Sequence, residues 1–178
     1  MPQISAQEKL EALLEKAEAG DLSAMTEAGL MLVKGDNVGR DFKRAFGLYE
    51  KAAQGGFVMA QYNLACMYMD GQGVERDYAC ARRWWEAAAA AGDGDAQFNL
   101  ATMCERGLDG QVDLEAARQW YEKAALNGSG RAQYDLACIY LHGKGVAADK
   151  NRAVYWFERA ASSGVSRALA HLQALSRE

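Results

Sequence analysis

Three sets of residues in this sequence are of types that can do chemistry. Cys138 and His142 lie four positions apart, the spacing of one helical turn, and could form a thiolate couple. Asp93 and Asp95 are a close pair of carboxylates. The stretch Gly71-Gln72-Gly73-Val74 has the glycine spacing found in part of a phosphate-binding loop. Each set indicates an enzyme only if the elements around it position it for catalysis.

Those elements repeat along the chain. Glycines at 56, 92, 128 and 164 are 36 residues apart, and aspartates at 41, 77, 113 and 149 keep the same spacing. Such a period predicts a helical repeat array. We predict an all-α, α/α solenoid that forms a right-handed superhelix, with four helix-pair repeats and a capping helix at each end. The predicted segments are 1–20 (cap), 21–56, 57–92, 93–128, 129–164 (repeats 1 to 4) and 165–178 (cap).

Each unit contains two amphipathic helices, here called helix A and helix B. In repeat 2 we predict helix A over about Ala60–Met69 and helix B over Tyr78–Ala90, with Asp77 as the N-cap of helix B. The predicted core positions are Ala60, Leu64, Ala65, Met67, Tyr68, Ala81, Trp84, Trp85, Ala88 and Ala89. In the other repeats the large side chains predicted to fill the space between the helices are Tyr49, Trp120, Tyr121, Trp156 and Phe157. The glycine stretch falls between the helices in every unit, and no Gly-Lys-Ser or Gly-Lys-Thr follows it. This predicts a structural corner and no phosphate site.

The pattern resembles the Sel1-like repeat family, a relative of the tetratricopeptide repeat. The resemblance rests on AQYNLACMYMDGQGVERDYACARRWWEAAAAAG in repeat 2 and AQYDLACIYLHGKGVAADKNRAVYWFERAASSG in repeat 4. Two corners, Gly35-Asp36-Asn37-Val38 and Gly107-Leu108-Asp109-Gly110, depart from the glycine pattern. The resemblance implies that helix A lines the concave side and that the protein binds other proteins.

A stripe on the face of helix A opposite the core is the predicted binding surface. Aromatic residues at equivalent positions form a ladder along this stripe, with polar and charged residues beside it, and exposed apolar patches of this kind mark interaction sites. An alternative is that part of the ladder packs against the next helix A. The candidate site residues are Met59, Tyr62, Asn63, Cys66, Met69, Asp70, Phe98, Asn99, Thr102, Arg106, Arg131, Tyr134, Asp135, Cys138 and His142.

Composition excludes several classes of protein. The formal charge is −4, which argues against a nucleic-acid partner. No apolar run is long enough to insert into a membrane, and charged residues near the start argue against a signal peptide, so the chain as given is expected in the cytoplasm. It would be periplasmic or secreted if a signal had been removed. The four cysteines have no metal-ligand spacing, so we predict reduced thiols, no metal and no cofactor.

We therefore predict a non-catalytic protein–protein interaction module, an adaptor, scaffold or regulator. Its partner would be another protein or a peptide held in the concave helix-A groove, and self-association through that groove is possible. One alternative is an immunity-type protein that neutralises a bacterial toxin in a tight one-to-one complex. An alternative of another class is a weak β-lactam-binding hydrolase, an activity linked to cysteine-rich members of the family that the sequence resembles.

Overall fold

The structure, a computed structural model, describes residues 5–177 and is all-α, as the sequence predicts. Among these residues there are ten helices and no strands. The helices are α1 Ala6–Glu18, α2 Leu22–Lys34, α3 Phe42–Gln54, α4 Val58–Asp70, α5 Tyr78–Ala90, α6 Gly94–Arg106, α7 Leu114–Leu126, α8 Gly130–His142, α9 Lys150–Ser162 and α10 Ser166–Leu175. The A helices are α2, α4, α6 and α8, and the B helices are α3, α5, α7 and α9.

Aspartate side chains fix the start of each B helix. Asp41, Asp77, Asp113 and Asp149 each accept a hydrogen bond from the backbone N–H three residues later, at 2.9–3.0 Å. A cap of this kind stabilises a helix by about 0.5–2 kcal/mol. Asp93 caps α6 in the same way, at 2.7 Å from the Ala96 nitrogen. Asp93 therefore serves as the N-cap of α6.

Helix α4 begins two residues before the predicted start. Its N-cap is Phe57, whose side chain makes no capping hydrogen bond. The sequence pattern therefore lacked the Asp or Ser that marks the starts of the other A helices. Helix α5, which has the Asp77 cap, has the predicted bounds.

The glycine stretches are corners between helices, as predicted. In repeat 2, Gly71 and Gly73 have φ of 70° and 73°, in the left-handed region. Gly73 is needed for a second reason, because a Cβ there would overlap the Phe42 carbonyl group, with its carbon 2.6 Å away. In the divergent first corner Asn37 adopts φ of 58°, so an asparagine replaces the second glycine.

The chain divides into two compact units, with the boundary between Ala91 and Gly92. The core of the first unit contains Leu32, Tyr49 and Leu64. The core of the second unit contains Tyr121 and Phe157, along with the residues around them. Buried alanines such as Ala52 and Ala124 bring the helices within each unit close together, so the large side chains fill the remaining space.

At three aromatic positions the side chain is less buried than the core prediction implies. Tyr68, Trp84 and Trp120 are only half-buried, whereas Trp85 and Tyr121, each next to one of the tryptophans, are buried. Adjacent residues on a helix point about 100° apart, and in repeats 2 and 3 only the second aromatic of the pair faces the core. In repeat 4 both Trp156 and Phe157 are buried.

A buried glutamine ties together the repeats of the second unit. The Gln133 amide nitrogen donates to the Ala125 carbonyl at 3.1 Å, and its oxygen accepts from the Ser163 hydroxyl at 2.9 Å. Gln97 accepts similarly from the Asn127 side chain at 3.0 Å. Because both ends of the Gln133 amide are paired, this polar group can lie in an otherwise apolar core.

Candidate partner-binding site

None of the fifteen predicted site residues is fully buried. The exposed ones are Met59, Asp70, Arg106, Arg131 and His142. The half-buried ones are Tyr62, Asn63, Cys66, Met69, Phe98, Asn99, Thr102, Tyr134, Asp135 and Cys138. Six of the fifteen lie on α4 in the first unit, and the other nine lie on α6 and α8 in the second.

In the first unit, Met59 lies at the edge of a small apolar pocket. Its side chain is 57% exposed. The pocket encloses about 200 Å³ and is lined by Ser23, Thr26, Glu27, Leu30, Phe57 and Met59. Part of the predicted stripe of α4 and part of the stripe of α2 therefore meet at one surface.

In the second unit, five predicted site residues line a larger pocket, here called the Asp135 pocket. It encloses about 280 Å³ and is formed by α6, α7, α8 and the corner after α8. The lining residues are Phe98, Thr102, Glu105, Arg106, Tyr121, Asp135, Cys138, Ile139 and Lys144. Predicted site residues of two consecutive A helices therefore line one cavity.

Hydrogen bonds hold one wall of the Asp135 pocket in place. The Tyr121 hydroxyl donates to Glu105 Oε2 at 3.0 Å and lies 3.3 Å from Thr102 Oγ1. The ring of Tyr121 meets Phe98 edge to face, with ring centroids 5.7 Å apart. Burial raises the pKa of Tyr121, so the hydroxyl stays protonated and available as a donor.

Asp135 is the acidic group of this pocket that lacks a close partner. Within residues 5–177 no hydrogen bond or ion pair reaches its carboxyl group. Burial raises the pKa of Asp135, and the nearby Glu105 raises it further. Three cations, Arg167, Lys144 and Arg131, lower this pKa, but the net shift is upward. The carboxylate is therefore partly desolvated, and no donor within hydrogen-bond distance compensates its charge.

The neighbouring cations are held by other groups. Arg131 pairs with Asp95 at 2.7 Å, and its guanidinium lies 4.7 Å from the centre of the Phe98 ring. Lys144 Nζ lies 3.6 Å from Glu105 Oε1. These contacts are consistent with the absence of an ion pair between either cation and Asp135.

Tyr134, the ladder residue of α8, packs against α10. Its hydroxyl is 3.0 Å from His171 Nε2, and the Arg167 guanidinium lies 4.0 Å from its ring centre. His171 also stacks on Phe157, with centroids 4.7 Å apart and planes 4° from parallel. At this position the ladder residue packs against a later helix, which is the alternative that the sequence left open. Only part of the Tyr134 surface remains exposed.

The thiolate couple that the spacing of Cys138 and His142 would allow is not present. No hydrogen bond joins Cys138 to His142, which is exposed at the end of α8. Burial raises the pKa of Cys138, which disfavours the thiolate that a nucleophile requires. Cys80 also has a raised pKa, because its thiol hydrogen-bonds to Asp77.

No disulfide bond joins the four cysteines, Cys66, Cys80, Cys104 and Cys138. Residues 5–177 contain no group of three or more His, Cys, Asp or Glu side chains that could hold a metal ion. In the same part of the chain no helix has the length and apolar character required to cross a membrane.

Comparison with known proteins decides the family. The Sel1 repeat pattern matches residues 22–57, 58–93, 94–129 and 130–165. The chain belongs to the Sel1 repeat family. Sel1 repeat proteins are generally protein-interaction modules and are typically non-catalytic. A search of curated proteins gives no match.

Solved structures of Sel1 repeat proteins have the same fold. One is c5321 of uropathogenic Escherichia coli, a protective antigen with an SLR fold, at 34% identity and a TM-score of 0.85 over 93% of this chain. The chain spans only 36% of that protein. A Sel1 repeat protein from Oxalobacter formigenes is 32% identical, with a TM-score of 0.80 over 92% of this chain and 73% of its own. The immunity protein Pa5087 of Pseudomonas aeruginosa shares the fold alone, at 20% identity and a TM-score of 0.58, over 89% of this chain and 59% of its own.

Sequence reasoning missed three important residues of the Asp135 pocket. Glu105 lies on the predicted helical stripe with Phe98 and Thr102, but it was not counted among the candidate site residues. Tyr121 was assigned to the core, and the pattern gave no sign that its hydroxyl reaches the pocket. Lys144 lies in a corner, where helical periodicity predicts no position.

Proposed function

We propose that this Sel1 repeat chain is a non-catalytic adaptor, scaffold or regulator that binds a segment of another protein on its A-helix face. The principal contact in this proposal is the Asp135 pocket. The observation that carries the proposal is that the predicted stripes of α6 and α8 meet in one open cavity. Half-buried aromatic and polar side chains line this cavity, and the charged Arg106 lies at its edge. Binding sites of protein-interaction modules commonly combine these features.

The proposed mechanism is capture by a preformed surface. The hydrogen bonds of Tyr121 and its edge-to-face contact with Phe98 hold the pocket wall in place before a partner arrives. Little ordering entropy is then lost on this side of the complex, which favours affinity. The exposed Met59 and the half-buried Tyr62 on α4 form a second contact surface in this proposal, for the same partner or another one.

A peptide selection with a blocked pocket tests this function. Random peptides displayed on phage would be selected on the wild-type chain and their affinities measured on variants. Thr102→Arg places a long side chain in the pocket and should abolish binding. Tyr155→Ala is the matched control, because Tyr155 is 49% exposed on helix α9, does not line the pocket, and its loss should leave binding unchanged.

Circular dichroism would verify that each variant keeps its helices. If Thr102→Arg is unfolded, Arg106→Glu reverses a charge at the exposed edge of the pocket, and the affinity of the selected peptides should change. Equal affinity of the selected peptides for the wild type and for a folded pocket variant would rule out this site.

The two alternative functions have no specific observation in their favour. A toxin-neutralising role would require a tight one-to-one complex, and the likeness to Pa5087 concerns the fold alone. A β-lactam hydrolase would require an activated nucleophile, and the raised pKa of Cys138 opposes this. A cytoplasmic location is part of this proposal, and four cysteines without a disulfide bond are consistent with a reducing compartment. The negative formal charge likewise supports a protein partner over nucleic acid.

A further inference from the structure

The Asp135 pocket contains a charge that the chain itself does not neutralise. Asp135 is half-buried, and residues 5–177 provide it with no hydrogen bond or ion pair. A carboxylate removed from water without a partner costs free energy, and a group that supplies a positive charge recovers part of that cost. A donor from outside the chain therefore gains more at this position than at a solvated surface carboxylate.

The three cations that lower the pKa of Asp135, namely Arg131, Lys144 and Arg167, do not pair with it, because each is held by another group. Arg131 is paired with Asp95, and Lys144 lies beside Glu105. Arg167 lies over the ring of Tyr134. Glu105 adds a second carboxylate to the same wall, and the negative charge of Glu105 helps to raise the pKa of Asp135.

The size of the pocket limits what can enter. Its volume of about 280 Å³ is at the lower end of the range of roughly 300–1,000 Å³ that is usual for small-molecule sites. A single long side chain of a partner is a suitable occupant. Phe98, Thr102 and Ile139 would contact the methylene groups of such a side chain, leaving its head group near Asp135.

We propose that the Asp135 pocket binds one lysine or arginine side chain of the partner segment, whose cationic head group pairs with Asp135. This assignment rests on the proposed function and specifies the chemistry of its partner. Arg106 and Lys144 lie at the same pocket. These two cations would disfavour a basic side chain that remained at the rim without reaching the carboxylate.

Small probes that differ only in charge test the assignment. N-acetyl-arginine amide would be titrated into the ¹⁵N-labelled chain and compared with its neutral isostere, N-acetyl-citrulline amide. N-acetyl-lysine amide would be compared with its neutral form acetylated on the side chain. Nuclear magnetic resonance shifts of the Asp135 and Cys138 amides report binding in the pocket. We expect each cationic probe to bind about tenfold more tightly than its neutral counterpart, as a charge-assisted hydrogen bond implies.

Two variants decide whether Asp135 is responsible. Asp135→Asn should reduce the cationic probes to the affinity of the neutral ones. Asp36→Asn makes the same chemical change at an exposed loop carboxylate of the first unit, and it should leave the preference unchanged.

Several results would overturn the assignment. These are equal binding of cationic and neutral probes, a preference that survives Asp135→Asn, stronger binding of N-acetyl-glutamate amide, or no shifts in the pocket up to the solubility limit of the probes. The proposed function has its own separate outcome. If Thr102→Arg abolishes binding of the selected peptides while Asp135→Asn has no effect on them, the site is correct and its preference for a basic side chain is wrong.

Discussion

Two glycines of the first unit differ in what a methyl group would contact, and this difference gives a sharp prediction. Gly56 and Gly73 have left-handed φ of 84° and 73°. A Cβ on Gly56 would have no heavy atom within 4 Å, whereas one on Gly73 would overlap the Phe42 carbonyl group and lie 3.0 Å from the Lys43 nitrogen. Alanine at Gly56 therefore tests backbone strain alone, and alanine at Gly73 tests strain together with overlap.

The expected magnitudes follow from these two effects. A left-handed conformation costs an L-residue about 1–2 kcal/mol, so Gly56→Ala should lower the free energy of unfolding by that amount. Overpacking adds about 1–3 kcal/mol, so Gly73→Ala should lower it by about 2–5 kcal/mol. In a chain of this length each kcal/mol shifts Tm by about 2–4 °C, so Gly73→Ala should melt well below Gly56→Ala.

Thermal and urea unfolding followed by far-ultraviolet circular dichroism would measure both variants against the wild type. Because repeats can unfold separately, hydrogen exchange should also locate the loss of protection in Gly73→Ala at the corner and the start of α3. Equal destabilisation by the two substitutions would refute the reasoning, since it would mean that the close approach to Phe42 does not matter.

Three further predictions follow from the second unit. Asp135→Asn should raise the free energy of unfolding near pH 7, because burial raises the folded-state pKa of Asp135 and the ionised carboxyl is unfavourable. In urea melts the gain should shrink as pH falls through that raised pKa, where the wild-type carboxyl becomes protonated, and a pH-independent gain would contradict this cause. His171→Ala removes both the hydrogen bond to Tyr134 and the stacking on Phe157, so α10 should lose about 1–2 kcal/mol of protection against hydrogen exchange. Cys138 should react with iodoacetamide more slowly in the folded chain than in urea, measured by mass spectrometry, because burial raises the pKa of its thiol; equal rates would contradict this.

Much of the fold follows from local chemistry that is visible in the sequence. The Asp77 cap and its equivalents mark helix starts because a capping carboxylate acts on the next three residues. Where that signal is missing, as at Phe57, the predicted start was two residues late. The choice between adjacent aromatics such as Trp84 and Trp85 depends on the orientation of each helix against its neighbours, which local patterns do not specify.

The candidate site was only partly predictable, for a related reason. Helical spacing identified Phe98 and Thr102 as residues of an open stripe, with Asp135 beside the equivalent stripe of α8. It could not show that the hydroxyl of Tyr121 reaches across from α7, or that Lys144 approaches Glu105 from a corner. These contacts join residues 16 and 39 positions apart in the sequence, so they depend on how the helices pack.

The buried Gln133 amide has an implication for how such a chain can change in length. Its two partners, Ala125 and Ser163, lie at the ends of consecutive B helices, and both bonds need α8 in its present rotation. Inserting one residue within α8 before Gln133 would turn the glutamine by about 100° and leave a polar amide without partners in the core. Duplication or deletion of a whole repeat preserves both bonds. We therefore infer that the chain can become longer or shorter by recombination of its gene in whole repeats.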